Sequence, residues 1–497
     1  MIGIALICSI CLSTVAASIP IVSQSVAVQQ SVVSSAEIPK GRLIETVICA
    51  DEPTQSYALY LPSNYSDERK WPVLFAFDPG ARGKVPVERY RDAAQKFGWL
   101  VIGSNNSRNG PMQPSINAWN AVVRDAQKRF RIDERRVYAT GFSGAARLAI
   151  YLAAQCQGCI SGVIASAAGF PVGLNAAAPS AFPIFATAGL DDFNFAEVME
   201  LDQNLTKAQT THRAEVFEGR HDWPPSTVAS DAIEWMEFQA MKAGTRQKDG
   251  QLIESSWQAQ SARARSLIDT QRYYDAFLAY SAIAATFKGL RDVTDAQNAL
   301  SKLQSNPGVK NAIRDEQRQI SRQREIEARI RRLLAASQRV TLKDDSENAI
   351  DNSRPIDNGS GEAAPETQLK SLFSDLRKQS AKPDDGGDRR IARRVLEGTT
   401  INLFEQGTSE LQQKHYNAAV RLFSLATEVN PDRPGAFFYL ASAYAANGDK
   451  KASLRSLRNA VDRGFSDAGA VIENRLFDSI RDEAEYREII GTLKLKQ

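Results

Sequence analysis

Between residues 57 and 241 short apolar runs alternate with stretches of helical periodicity, and this alternation restricts the possible fold more than any other feature of the chain. The run at 57–61 (YALYL) is closed by Pro62, Ser63 and Asn64. At 71–77 (WPVLFAF) the run is almost wholly apolar, as expected of a strand buried on both faces. Similar runs follow at 99–103, 137–140, 162–165, 184–188 and 214–217. Between them lie helix-like stretches at 88–97, 115–130, 145–154 and 228–241. In the second of these Ile116, Trp119, Val122, Val123, Ala126 and Phe130 share one helical face. Strands and helices in strict alternation build a mostly parallel sheet with helices on both sides. The expected fold is therefore an α/β domain over residues 41–242.

The second half has no convincing strand. Helices are predicted over 257–338, with hairpins of repeat type, and again over 396–497. The intervening 339–395 reads as a flexible linker with a short helix, because 343–366 and 382–390 are polar and poor in apolar residues. A 34-residue period marks the C-terminal part: Leu403, Gly407, Ala418, Ala426 and Pro431 step onto Phe437, Ala441, Ala452, Ala460 and Phe465. Small residues recur where two helices of a pair approach closely. Gly407, Tyr416, Ala419, Phe423, Ala426 and Pro431 resemble the tetratricopeptide repeat, and Leu440, Ala441, Tyr444 and Ala460 match a second unit. Ala264, Tyr273, Ala276 and Tyr280 have the spacing of a degenerate upstream unit. That resemblance implies a protein partner held by the repeats.

The chemistry is concentrated in the first half. Gly141-Phe142-Ser143-Gly144-Ala145 follows a predicted strand and opens a predicted helix. A serine on such a sharp turn needs small residues two positions to either side, and its hydroxyl is then lifted clear of the sheet. The Gly144 N–H points toward a developing oxyanion near the positive end of the helix dipole. Serine needs a base to take its proton. The chain has only His212, His221 and His415, and His221 alone sits in a polar turn after a strand at the C-terminal sheet edge. The base needs an acid, for which Asp191 and Asp192 at the end of the run 184–188 are both placed, with Asp222 a poorer third.

The order Ser143, Asp192, His221 is that of α/β-hydrolases. Residues 45–240 resemble the esterase branch with polyhydroxybutyrate depolymerases, feruloyl esterases and dienelactone-hydrolase-like proteins. The resemblance rests on 131–143 (RIDERRVYATGFS) and 219–223 (GRHDW). It implies the α/β-hydrolase fold and hydrolysis of a small or polymeric carboxylic ester through an acyl-enzyme. It also implies Asp192 as the triad acid, three positions after Gly189. Two departures stand out: the last elbow glycine is Ala145, and the family's oxyanion-loop histidine is missing from 78–83 (DPGARG). The second oxyanion donor is then expected at a backbone N–H near Gly80 or Ala81. Asn105, Asn106 and the run to Asn109, together with Trp223, are candidates for lining the substrate pocket.

Charge excludes other classes. Lys and Arg total 61 against 58 Asp and Glu, which leaves no basic footprint for nucleic acid, and the arginines of 314–332 alternate with glutamates. No stable transmembrane span is expected. The apolar residues 2–17 read as a signal peptide over 1–17, followed by a linker over 18–40, so that the protein is exported to the periplasm or secreted. Cys156 and Cys159 have the spacing of a redox pair, a structural disulfide or two buried thiols. No metal ligand set and no cofactor are implied. Two other functions share these residues. One is a serine peptidase or amidase with the same triad. The other is an inactive hydrolase-fold scaffold whose repeats bind partners.

Overall fold

The computed structural model describes residues 38–156, 158–174, 180–347, 364–383 and 386–495, with side chains to 337 in the first of the long helices. The expected signal peptide, most of the linker to residue 40 and the polar segment 348–363 lie outside the described residues.

The apolar runs become strands β1 (Leu43–Ile48), β2 (Ser56–Tyr60), β3 (Trp71–Phe77), β4 (Leu100–Ser104), β5 (Ile132–Phe142), β6 (Gly162–Ser166), β7 (Ile184–Gly189) and β8 (His212–Phe217). They form one sheet in the order β1-β2-β4-β3-β5-β6-β7-β8. β1 and β2 pair antiparallel at one edge, and β4, β3, β5, β6, β7 and β8 are parallel. The predicted mostly parallel sheet is thus the one that forms. β1 escaped the sequence reading because it is a half-exposed edge strand without a clear apolar run. β5 starts five residues earlier than its apolar core suggests, since its charged beginning extends past the buried centre.

The helices between strands are α1 (Lys84–Phe97), α2 (Met112–Arg129), α3 (Gly144–Gln155), α4 (Phe195–Lys207) and α5 (Ser226–Lys242). Every residue of β3 is buried, so each face must be covered. Leu74 joins Val87, Tyr90 and Ala94 of α1 and Ile233 and Met236 of α5 in the core on one side. Alternation sends Phe75 and Phe77 to the other side, where their rings meet Trp119 of α2 at 5.0 and 5.8 Å. Cys156 and Cys159, just after α3, are joined by a disulfide.

The second half is helical: α6 (Gly250–Asp269), α7 (Tyr273–Phe287), α8 (Thr294–Ser305), α9 (Pro307–Glu347), α10 (Pro365–Ser380), α11 (Gly387–Gln412), α12 (Tyr416–Val429), α13 (Pro434–Ala446), α14 (Lys450–Asp462), α15 (Ala468–Glu473), a 3-10 turn at Arg475–Ile480 and α16 (Ala484–Leu495). It is continuous with the sheet domain, because Phe238 and Met241 of α5 share a core with Ile283 and Phe287 of α7. α9 and α11 reach further into the expected linker than its composition suggests. Their apolar stripes are sparse but are covered by each other and by α10, through Ile330, Leu369, Phe373, Ile391 and Val395. In the region of the 34-residue period, Gly407 lets α11 approach Phe423 of α12: a Cβ there would lie 2.7 Å from the ring.

No described helix is long and apolar enough to cross a membrane.

Candidate active site

At the end of β5 the chain turns into α3 through Ser143, whose φ of 55° and ψ of −127° are strained for a residue with a side chain. The turn is tight enough that a Cβ on Gly141 would meet the Ala145 carbonyl oxygen at 2.1 Å. Ala145 itself is tolerated, buried at the start of α3. The Ser143 N–H donates to the Ser166 carbonyl at the end of β6, at 2.8 Å, which ties the turn to the sheet. The Gly144 N–H has no acceptor among the described residues and stands at the positive end of α3.

Two strands along, the loop after β7 carries Asp192. Its carboxylate is fully buried, and Oδ1 accepts from His221 Nδ1 at 2.7 Å and from the Asn194 N–H at 2.8 Å. An ionised carboxylate accepts only, so Nδ1 carries the proton and Nε2 is left as the basic nitrogen. The His221 ring lies between aromatic rings, 4.5 Å from Phe142 and 3.9 Å from Phe193. Phe142 adjoins Ser143, so the imidazole and the hydroxyl belong to one corner of the sheet edge. Among the described residues no hydrogen bond joins Ser143 Oγ to the ring.

The other candidates separate cleanly. Asp191 turns away and pairs with Arg393 at 3.1 Å. Asp222 caps its own turn by accepting from the Trp223 N–H at 2.7 Å. His212 is held by the Thr210 carbonyl at 2.7 Å, and His415 by Glu410 at 2.8 Å on the helical half.

Four pocket expectations need correction. The Ala81 N–H closes a turn onto the Asp78 carbonyl at 3.1 Å, and Gly80 N–H donates to Asp78 Oδ1 at 2.8 Å, so neither is free for an oxyanion. Asp78 is the residue that sequence reasoning passed over. Its buried carboxylate also accepts from Arg82 Nε at 2.9 Å and Trp223 Nε1 at 2.9 Å, and it draws the loop inward. Trp223 is consequently not a pocket wall but a buried plug against Phe142 and Tyr90. Asn105 donates to the Glu45 carbonyl at 3.0 Å, and Asn106 accepts from the Ser56 N–H at 2.8 Å, so both brace the antiparallel edge. Asn109, at the end of the same polar run, is the one that lines the cavity with the serine. Its N–H donates to the Pro79 carbonyl at 2.9 Å, and its side-chain oxygen would lie 2.2 Å from a Cβ on Gly144.

A cavity of about 340 Å³ opens over this corner. Asn109, Ser143, Gly144, Arg147, Phe193 and Asn194 line it from the sheet domain, whereas His221 does not. Its opposite wall comes from the helical half, with Glu327, Ile330, Arg331 and Leu334 on α9 and Val395, Gly398, Thr399 and Asn402 on α11. The spacing of three or four residues on each helix puts these side chains on one face. Among the described residues no group of three His, Cys, Asp or Glu side chains is placed to hold a metal ion.

No protein-family model matches the sequence, and no curated protein matches it. Among solved structures, a ferulic acid esterase is similar over 39% of this chain and 96% of its own, at 15% identity and a TM-score of 0.34. S-formylglutathione hydrolase from Staphylococcus aureus is similar over 40% of this chain and 98% of its own, at 14% identity and a TM-score of 0.33. A hyperthermophilic esterase from the archaeon Pyrobaculum calidifontis is similar over 41% of this chain and 88% of its own, at 13% identity and a TM-score of 0.33.

Proposed function

We propose that this protein is a serine hydrolase that cleaves a carboxylic ester through an acyl-enzyme on Ser143. The observation that carries the reading is the 2.7 Å bond between His221 Nδ1 and the buried Asp192, at the same sheet edge as the strained Ser143 turn. His221 Nε2 takes the Ser143 proton as Oγ attacks the ester carbonyl, and Asp192 balances the imidazolium that forms. The proton then passes to the leaving alkoxide, which departs as the alcohol. Water, deprotonated by the same nitrogen, returns the acid and the free enzyme. The oxyanion is held by the Gly144 N–H and by Asn109 Nδ2, whose amide packs against the Gly144 Cα and takes the place of the engaged Ala81 N–H. Closing the serine–histidine contact on substrate binding is ordinary for such sites.

A wall built partly from helices favours a small ester over a polymer chain, because the cavity is bounded opposite the serine. A serine peptidase or amidase would use the same groups. The missing serine–histidine bond is what an inactive scaffold has in its favour. Export rests on the apolar residues 2–17, and a protein partner on the repeat spacing of 403–465.

The test is labelling by a fluorophosphonate together with turnover of paired p-nitrophenyl esters and p-nitroanilides. Labelling of the full chain that disappears in Ser143→Ala, with esters turned over faster than anilides, supports the ester hydrolase. A wild-type chain that neither labels nor turns over either substrate refutes it.

A further inference from the structure

The loop that carries Asp192 is gripped from the helical half on both sides of that residue. Before it, Arg394 of α11 donates from Nε to the Leu190 carbonyl at 2.7 Å and from Nη2 to the same oxygen. Next to it, Asp191 is paired with Arg393 at 3.1 Å, and Arg390 stands 3.8 Å away. After it, the Phe193 carbonyl accepts from Gln323 Nε2 of α9 at 3.1 Å. Phe193 also covers the His221 ring, and a Cβ on Gly398 of α11 would lie 3.1 Å from the Phe193 Cβ.

Arg394 is the most unusual of these groups. It is 1% exposed, with the guanidinium 3.7 Å from the Phe195 ring centre and, among the described residues, no carboxylate in hydrogen-bonding contact. Burying a charge is costly unless it is paired or fully hydrogen-bonded. Here the compensation is the Leu190 carbonyl, a long 3.5 Å bond from Nη1 to Gln323 Oε1, one aromatic face and the field of the neighbouring Asp191 and Asp192, which makes the acid loop and its α9 contact the counterpart of the buried cation. Simple domain packing would be served as well by leucine or methionine.

We propose that α9 and α11 form an intramolecular clamp that sets the Asp192–His221 pair, with Arg394 as its principal positioning residue and Arg393 and Gln323 as accessories. The proposal rests on the hydrolase reading above and assigns the helical half a part in its regulation. α11 is a single helix of 26 residues. Its first half holds the acid loop, and its second half packs on α12 through Gly407 and Phe423. A partner that strains the repeat therefore acts on the catalytic acid through one rigid element.

The experiment uses the full chain with Arg394→Met, Arg393→Ala and Gln323→Ala, and Arg458→Ala as a control in the distant α14–α16 contact. Three quantities are read: kcat and KM for a p-nitrophenyl ester, the rate of fluorophosphonate labelling, and the His221 Nδ1 proton resonance by NMR, which reports the bond to Asp192. With three histidines in the chain the last is readily assigned. The expected result for Arg394→Met and Arg393→Ala is a kcat lower by 10- to 100-fold at unchanged KM. The labelling rate should fall with it, the Nδ1 proton resonance should shift or broaden, and Arg458→Ala should resemble wild type. Arg393 is partly exposed, so its variant answers the question even if Arg394→Met does not fold. Folded variants with wild-type kcat and an unmoved Nδ1 proton resonance overturn the clamp and leave the hydrolase reading intact. A wild-type chain without turnover or labelling sinks that reading, and the Nδ1 proton resonance then decides the clamp by itself.

Discussion

A single methyl group at Gly144 tests the oxyanion site directly. An ideal Cβ there lies 2.2 Å from Asn109 Oδ1, 2.9 Å from its Cγ and 3.1 Å from its Nδ2. Ordinary contact distances require the amide to retreat by about 1 Å. Asn109 is on an exposed loop, so it can yield without unfolding the chain. What it loses is its place against the Gly144 Cα. Removing one oxyanion donor lowers kcat by about 10²- to 10³-fold, or about 3–4 kcal/mol of barrier. Gly144→Ala is therefore expected to lower kcat for a p-nitrophenyl ester by about 100-fold with KM little changed, and to shift the thermal midpoint by no more than about 2 °C. Asn109→Ala should do the same. The double variant should be no worse than either alone, because both changes remove the same interaction. Gly141→Ala differs in kind, since its Cβ meets a backbone carbonyl at 2.1 Å that cannot turn away, and it should damage folding. Wild-type kcat in Gly144→Ala, or losses that multiply in the double variant, would refute the assignment of Asn109.

Two further predictions concern carboxylates. Asp192→Asn keeps the shape of the loop but cannot accept from both His221 Nδ1 and the Asn194 N–H with an ionised oxygen, and it presents the wrong tautomer to Ser143. Steady-state kinetics should find kcat lower by about 10⁴-fold, the loss known for this change in serine proteases. The Asp231 carboxyl is pushed up to about 6, by burial first and then by Glu215. A carboxyl with a raised folded-state pKa stabilises the fold while protonated in both states, and that contribution is lost as pH rises from about 4 through 6. Asp231→Asn should therefore raise stability by about 2 kcal/mol at pH 8 and by nothing at pH 3.5, read from urea midpoints.

Several features of the site were legible in the residue order because they depend on near neighbours. The apolar run 71–77 can only be a strand covered on both sides, and β3 is one. Small residues around Ser143 announce a turn that larger ones would block, and a Cβ on Gly141 would indeed meet Ala145. The scarcity of histidine directed attention to His221. The run Asn105–Asn109 was marked as polar, but which asparagine turned to the serine depended on the loop from Asp78 to Arg82 pairing beside it at Gly80 and Arg108.

Local order determined the alternation of strands and helices, the strained serine turn and the presence of two adjacent aspartates after a buried strand. The residues themselves left Asp191 and Asp192 open and only a family resemblance favoured the second. The physical difference between them is tertiary, because arginines 202 and 204 positions away hold the loop and Asp192 is the one bonded to the imidazole. Tertiary structure alone decided that Asp78 engages the N–H groups of Gly80 and Ala81 and the Trp223 indole, and that two sparse amphipathic helices wall the cavity over Ser143. The physical reason is the same in each case. A polar side chain has many satisfactory partners in a sequence, and only packing between distant segments selects the one it keeps.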